Sequence, residues 1–182
     1  LATEGADRVA RVSLNAPMEF FRVRAAETNC LSLPGSGLGL KPNPWETTCF
    51  SFETAQPDFL NSPVLLPVGQ FSTSMGPLAI EPVPGQGVNG LKLAGTTTVD
   101  FMAVPPGVFD RVTLRIHDPL GGSQIVAWDP SMTFLKDSAT TTGLSVPQTI
   151  VLEGPAIGRL AITSAHEQGH LLGICGERIQ AP

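Results

Sequence analysis

Between residues 49 and 175 the chain repeats one pattern: a short run of alternating apolar and polar side chains, then a break at Gly or Pro. Arg111-Val-Thr-Leu-Arg-Ile-His117 is the clearest case. Val112, Leu114 and Ile116 fall on one side, and Arg111, Thr113, Arg115 and His117 on the other. That is the two-residue period of a strand with one buried face. Cys49-Phe-Ser-Phe-Glu53 alternates in the same way, and further strand-like runs lie at 78–83, 90–93, 97–103, 124–129, 132–136 and 149–153. The chain carries 19 Gly and 17 Pro to end such runs, so its elements are short. Strands do not alternate with helical patterns, and no internal repeat is evident. Short strands at this spacing predict an all-β, antiparallel two-sheet sandwich or barrel. Val112, Leu114, Ile116, Ile150, Leu152, Leu160 and Ile162 are its expected core. The stretch with Pro57, Pro63 and Pro67 reads as an irregular connection.

Two more strand-like runs, 8–14 and 19–24, flank Asn15-Ala16-Pro17, and a Gly/Pro-rich connection covers 34–46. The expected division is an N-terminal β extension, or remnant of a preceding domain, over 1–29, and a sandwich over 30–182. The chain begins at Leu1 rather than Met, which reads as a processed or trimmed product.

Composition narrows the function classes. Hydrophobic residues are 42% and charged residues 15%, the balance of a folded chain. The net charge is −5 with only 11 Lys+Arg and no basic stripe, which argues against a nucleic-acid partner. No apolar run reaches the length of a membrane span, so membrane insertion is not expected.

His166-Glu167-Gln168-Gly169-His170 spells the zinc-protease motif H-E-x-x-H. On a helix, two His four residues apart share one face and can hold Zn²⁺ while the Glu activates a bound water. Gly173 extends the match toward H-E-x-x-H-x-x-G-x-x-H, but position 176 is Gly rather than His. Glu177 follows too closely to serve as a distant ligand. The flanks also favour a strand, a turn and a strand. Leu160 and Ile162 alternate with Arg159, Ala161 and Thr163, Gly169 suits a turn, and 170–175 returns as a strand. A metalloprotease is therefore the third-ranked reading. His166 and His170 are expected to flank a surface turn, exposed and metal-free, with Glu167 solvated. His117 is expected to be a surface residue at a strand end. Ser164 beside His166 makes no triad, and Gly35-Ser-Gly-Leu-Gly39 lacks the Lys and helix of a phosphate loop. No catalytic set emerges. Three Cys without a C-x-x-C exclude a cysteine-rich metal cluster and allow one disulfide.

The second half carries a recognisable order: Phe109-Asp-Arg-Val-Thr-Leu-Arg-Ile-His, Ile125-Val-Ala-Trp-Asp129, Pro147-Gln-Thr-Ile-Val-Leu-Glu-Gly154, Ile157-Gly-Arg-Leu-Ala-Ile-Thr163 and His170-Leu-Leu-Gly-Ile-Cys175. With Cys30-Leu-Ser-Leu33, Asn43-Pro-Trp45 and Cys49-Phe-Ser-Phe-Glu53 as its opening, it resembles the galactose-binding-like jelly rolls of secreted bacterial proteins, which include many carbohydrate-binding modules. The resemblance covers about residues 30–177. It implies an antiparallel two-sheet jelly-roll β-sandwich and a non-catalytic extracellular module, secreted or on a bacterial cell surface, for a glycan or cell-surface polymer. The alternative is a structural or adhesive subunit of an extracellular assembly, with residues 1–28 pairing to a neighbour. Some modules of this fold hold a structural calcium. Glu53 matches one of its positions, while the acidic pair of the last strand is replaced here by Leu172-Gly173-Ile174. Trp45, in a Pro-rich loop, is the implied sugar platform, and Trp128, within a strand, is read as core. First and last strands of a jelly roll are neighbours, which implies a Cys30–Cys175 disulfide with Cys49 buried and free, or else Cys49–Cys175.

Overall fold

The computed structural model describes residues 45–179. The runs at 8–14 and 19–24, the whole 1–29 extension and Cys30 lie outside the described residues. Thirteen strands are found within them: β1 Trp45–Ser51, β2 Asp58–Leu60, β3 Val64–Leu66, β4 Gly69–Thr73, β5 Leu78–Pro82, β6 Asn89–Leu93, β7 Thr96–Asp100, β8 Phe109–His117, β9 Gln124–Trp128, β10 Leu135–Thr140, β11 Gln148–Ile157, β12 Arg159–Thr163 and β13 Gly169–Ile179. A single 3₁₀ turn, Phe101–Ala103, follows β7.

The strands form the expected two-sheet antiparallel sandwich. One sheet has seven strands in the order β11-β8-β13-β6-β5-β2, with β1 also paired to β13. The other has six, in the order β10-β9-β12-β7-β4-β3. The last described strand organises the larger sheet. β8 runs along one edge of β13, and β6 and β1 share the other edge end to end, β6 at Gly169–Leu171 and β1 from Ser51↔Gly173 to Trp45↔Ile179. First and last described strands are thus neighbours, as in a jelly roll.

Alternation fills the core as expected. Val112, Leu114, Ile116, Leu152, Leu160 and Ile162 are fully buried, and Ile150 nearly so. Phe52, Phe71, Phe101 and Phe109 join them, packed edge to face in the pairs Phe52–Phe71 and Phe101–Phe109. Gly176 leaves room for the Phe109 ring, since a Cβ there would lie 2.5 Å from it.

Two local expectations are corrected. The stretch read as irregular holds β2, β3 and β4, because Pro57, Pro63 and Pro67 stand just outside these strands and bound them rather than break them. β10 begins at Leu135 rather than 132, because residues 129–134 are tied into a turn. There the Asp129 carboxylate accepts from the Thr133 and Phe134 N–H groups at 2.8 and 3.0 Å and from the Ser131 hydroxyl at 2.7 Å. The Phe134 N–H, followed by the Ser131 hydroxyl, holds this carboxyl below its ordinary range. β13, expected as a strand over 170–175, carries a bulge. Leu171 pairs with Ile116 and Gly173 with Arg115, so Leu172 is an extra residue, a bulge. The bulge keeps Leu171 and Ile174 in the core and turns Leu172 to the opposite face. There it is buried beside Val83 and His170, and a Cβ on Gly90 would come within 3.0 Å of all three.

The disulfide is the alternative pairing: Cys175 is bonded to Cys49, so Cys49 is not free and the first expectation, Cys30–Cys175, is corrected. The register of β1 on β13 sets the two directly opposite, with Cα atoms 4.0 Å apart.

Candidate functional site

The H-E-x-x-H segment is a strand, a turn and a strand: β12 ends at Thr163, Glu167 and Gln168 form the turn, and β13 starts at Gly169. The two His do not share a helical face. Neither is exposed, which corrects the expectation for both. His166 Nε2 lies 3.0 Å from Asp118 Oδ1 and 3.1 Å from the Gly121 carbonyl, while its Nδ1 accepts from the Gln168 N–H at 3.2 Å. His170 is buried, with Nδ1 3.1 Å from the Gln168 carbonyl and Nε2 3.0 Å from Glu81 Oε1. All four ring nitrogens are thus engaged by the protein, and none presents a free lone pair to a metal. Among the described residues no group of three or more His, Cys, Asp and Glu could hold a metal ion.

His117 is buried too, not a surface residue. It stands directly opposite His170 across β8 and β13, and the Gln86 amide, which also donates to the Ser145 carbonyl, lies over it at 3.4 Å. Loops from other parts of the chain cover this strand end, which alternation along β8 does not reveal. Glu167 is exposed in its turn. Glu167→Gln is expected to shift stability by no more than about 0.5 kcal/mol, checked by thermal melting, with no stoichiometric zinc by metal analysis of either protein.

Glu53 is engaged by Arg115, whose Nη1 donates to Oε1 at 2.7 Å. Among the described residues Glu53 belongs to no group of three or more His, Cys, Asp and Glu. Trp45 begins β1, but its side chain lies outside what the structure describes.

The better candidate surface is the outer face of the six-stranded sheet. Ile125 and Ala127 point into the core, so Val126 and Trp128 point out. Trp128 is partly exposed, which corrects its reading as core. Strand registers then arrange the outward side chains in three rows across the strands. The first is Leu135, Trp128, Arg159, Asp100, Gln70 and Leu65. The second is Ser138, Val126, Ala161, Thr98 and Ser72, and the third is Thr140, Gln124, Thr163 and Thr96. The Thr96 and Thr163 hydroxyls meet at 3.2 Å. Every side chain of the middle row is small, so the surface falls from the first row into a shallow trough that is open toward the third row. Six strands at the usual ~4.8 Å spacing give that row a length of about 24 Å. Arg159 Nη2 lies 3.2 Å from Asp100 Oδ2 within it. Such a face can stack a flat apolar surface on Trp128 and hydrogen-bond a polar chain beside it. The strand parity of 125–128 carried this signal in the sequence once Ile125 is assigned to the core.

No helix among the described residues is long and apolar enough to cross a membrane. No protein-family model matches the chain, and no curated protein matches it. Solved structures similar to it include a carbohydrate-binding module of Cellvibrio mixtus lichenase 5A in complex with cellotriose (12% identity, 71% of this chain and 95% of that one, TM-score 0.37). A mutant of a family 29 carbohydrate-binding module is similar at 12% identity over 72% and 91% of the two chains, with TM-score 0.37. A carbohydrate-binding module specific for non-crystalline cellulose is similar at 14% identity over 68% and 97%, with TM-score 0.38. At these TM-scores the likenesses carry no weight for function, and the two-sheet sandwich stands on this chain's own strand pairing.

Proposed function

We propose that this chain is a non-catalytic binding module that holds a glycan along the trough of the six-stranded sheet. The observation that supports this most is the first row. It sets Trp128 partly exposed beside Arg159, Asp100 and Gln70, above a floor of small side chains. An indole can cover the apolar face of a pyranose, and the polar side chains that follow can take its hydroxyls. A second platform at Trp45 remains part of the proposal. The Cys49–Cys175 bridge suits an oxidising compartment, which fits a secreted or cell-surface module.

Trp128→Ala is expected to weaken polysaccharide binding at least about tenfold, the scale of a buried aromatic anchor, while leaving the melting curve nearly unchanged. Affinity electrophoresis through gels containing soluble polysaccharides measures it. Loss of binding in Trp45→Ala but not in Trp128→Ala would move the site to Trp45. Retention of the unmodified protein by no polysaccharide, together with concentration-dependent assembly that disappears without residues 1–28, would replace this reading with the structural one.

A further inference from the structure

We propose that Asp100 sets the charge selectivity of the trough: by holding the Arg159 guanidinium, it keeps the trough neutral and restricts it to uncharged glycans. This rests on the glycan reading above and adds the ligand's charge class to it.

The three outward rows contain only two charged side chains, Arg159 and Asp100. They are cross-strand partners on β12 and β7, and Arg159 is also the cross-strand partner of Trp128. A ligand stacked on Trp128 therefore meets Arg159 next. An unpaired guanidinium there would favour a glycan carboxylate, whose two oxygens match its fork of donors. Asp100 already occupies that position, with Oδ2 3.2 Å from Arg159 Nη2. Its other oxygen accepts from the Met102 N–H at 3.0 Å, so the 3₁₀ turn holds the carboxylate in place. Arg159 Nε is buried and has no hydrogen-bond partner among the described residues, so the Asp100 contact is the one that balances the guanidinium charge. Both side chains are about one-third exposed, 35% for Arg159 and 27% for Asp100, and so within a ligand's reach. A uronate entering the trough would meet a neutralised cation and a fixed carboxylate, and the second repels it.

The test uses the full chain in affinity gels containing either a neutral polysaccharide (β-glucan or galactomannan) or an anionic one (alginate or polygalacturonate). The unmodified protein is expected to be retarded by a neutral gel and not by an anionic one. Asp100→Asn keeps an oxygen for the Met102 N–H and frees Arg159. It is expected to gain at least about tenfold in affinity for the anionic gel, the value of one charge-assisted hydrogen-bonded pair. The double variant Asp100→Asn with Arg159→Gln should lose that gain. Glu167→Gln removes the same unit of negative charge at the other end of β12 and should show no gain, which separates a local effect from a change in net charge. Melting curves establish that each variant is folded, and Asp100→Ser, whose hydroxyl can accept from the Met102 N–H and which also frees Arg159, should show the same anionic gain if Asp100→Asn is not folded, and its absence there overturns the inference. Neutral binding with no anionic gain in folded Asp100→Asn overturns the inference and leaves the glycan reading standing. So does equal retardation of the unmodified protein by both gel types. Retardation by neither gel defeats the glycan reading, and the inference with it.

Discussion

Replacing Cys49 and Cys175 together with alanine is expected to lower stability by about 2–5 kcal/mol, read as a fall in the urea midpoint together with a steeper slope, because the uncrosslinked unfolded chain exposes more surface. The bridge spans a sequence separation of 126 residues, so it removes much of the unfolded chain's freedom. In the native state it joins β1 to β13, which otherwise hold together through one edge of backbone pairing. A domain of this size is stable by only about 5–15 kcal/mol, so the loss is a large share of the total. Peptide mapping without reduction should recover a Cys49–Cys175 peptide. A Cys30–Cys175 peptide would mean that β1 is not paired to β13 in the register described.

A loss of similar size, about 3–5 kcal/mol, is expected for Asp118→Ala. Asp118 follows β8, and its side chain is fully buried. Oδ2 accepts from the Ser123 hydroxyl at 2.7 Å and from the Thr141 hydroxyl, and Oδ1 accepts from the Gly121 N–H at 3.1 Å and faces His166 Nε2 at 3.0 Å. One carboxylate thus ties the β8–β9 loop, the segment after β10 and the turn before β13. Alanine would leave those buried donors without an acceptor. Burial alone would push the Asp118 carboxyl up. The donors from Thr141, Ser123 and Gly121 and the charge of His166 outweigh it and hold the carboxyl below its ordinary value. The sign for stability follows. The contribution is present in full above the ordinary carboxylate range near pH ~4 and is lost as pH falls through the lower folded value. Denaturant midpoints measured from neutral to acid pH should therefore show a steeper acid decline for the unmodified protein than for Asp118→Ala. Parallel curves would mean that Asp118 is not the carboxylate responsible.

The Asp118 cluster also shows where sequence reading stops. His117 and Asp118 stand as adjacent polar residues at the end of an amphipathic strand whose alternation is plain in the sequence. Their burial was not legible, because the covering groups come from Gln86, Thr141 and His166, each distant in sequence. The same holds for His170, whose partner Glu81 is 89 residues away. The outward placement of Trp128 is hidden for another reason. An indole in a strand is core by default, and only the parity set by Ile125 and Ala127 turns it outward.

The amino-acid sequence by itself determined the fold class and the exclusion of a helical zinc motif, because both rest on local period: alternation along 111–117 and 159–163, and a turn at 167–169 that a helix would not place there. The jelly-roll resemblance implied that Cys175 lies where a first strand could meet it. Only the tertiary structure decided that the partner is Cys49, that both motif His are engaged, and that Trp128, Arg159, Asp100 and Gln70 form one row. These depend on register, and register is a relation between strands far apart in the chain. A shift of one residue would move every outward side chain inward. What sets it is the simultaneous burial of the core residues of both sheets, which no single strand carries in its own pattern.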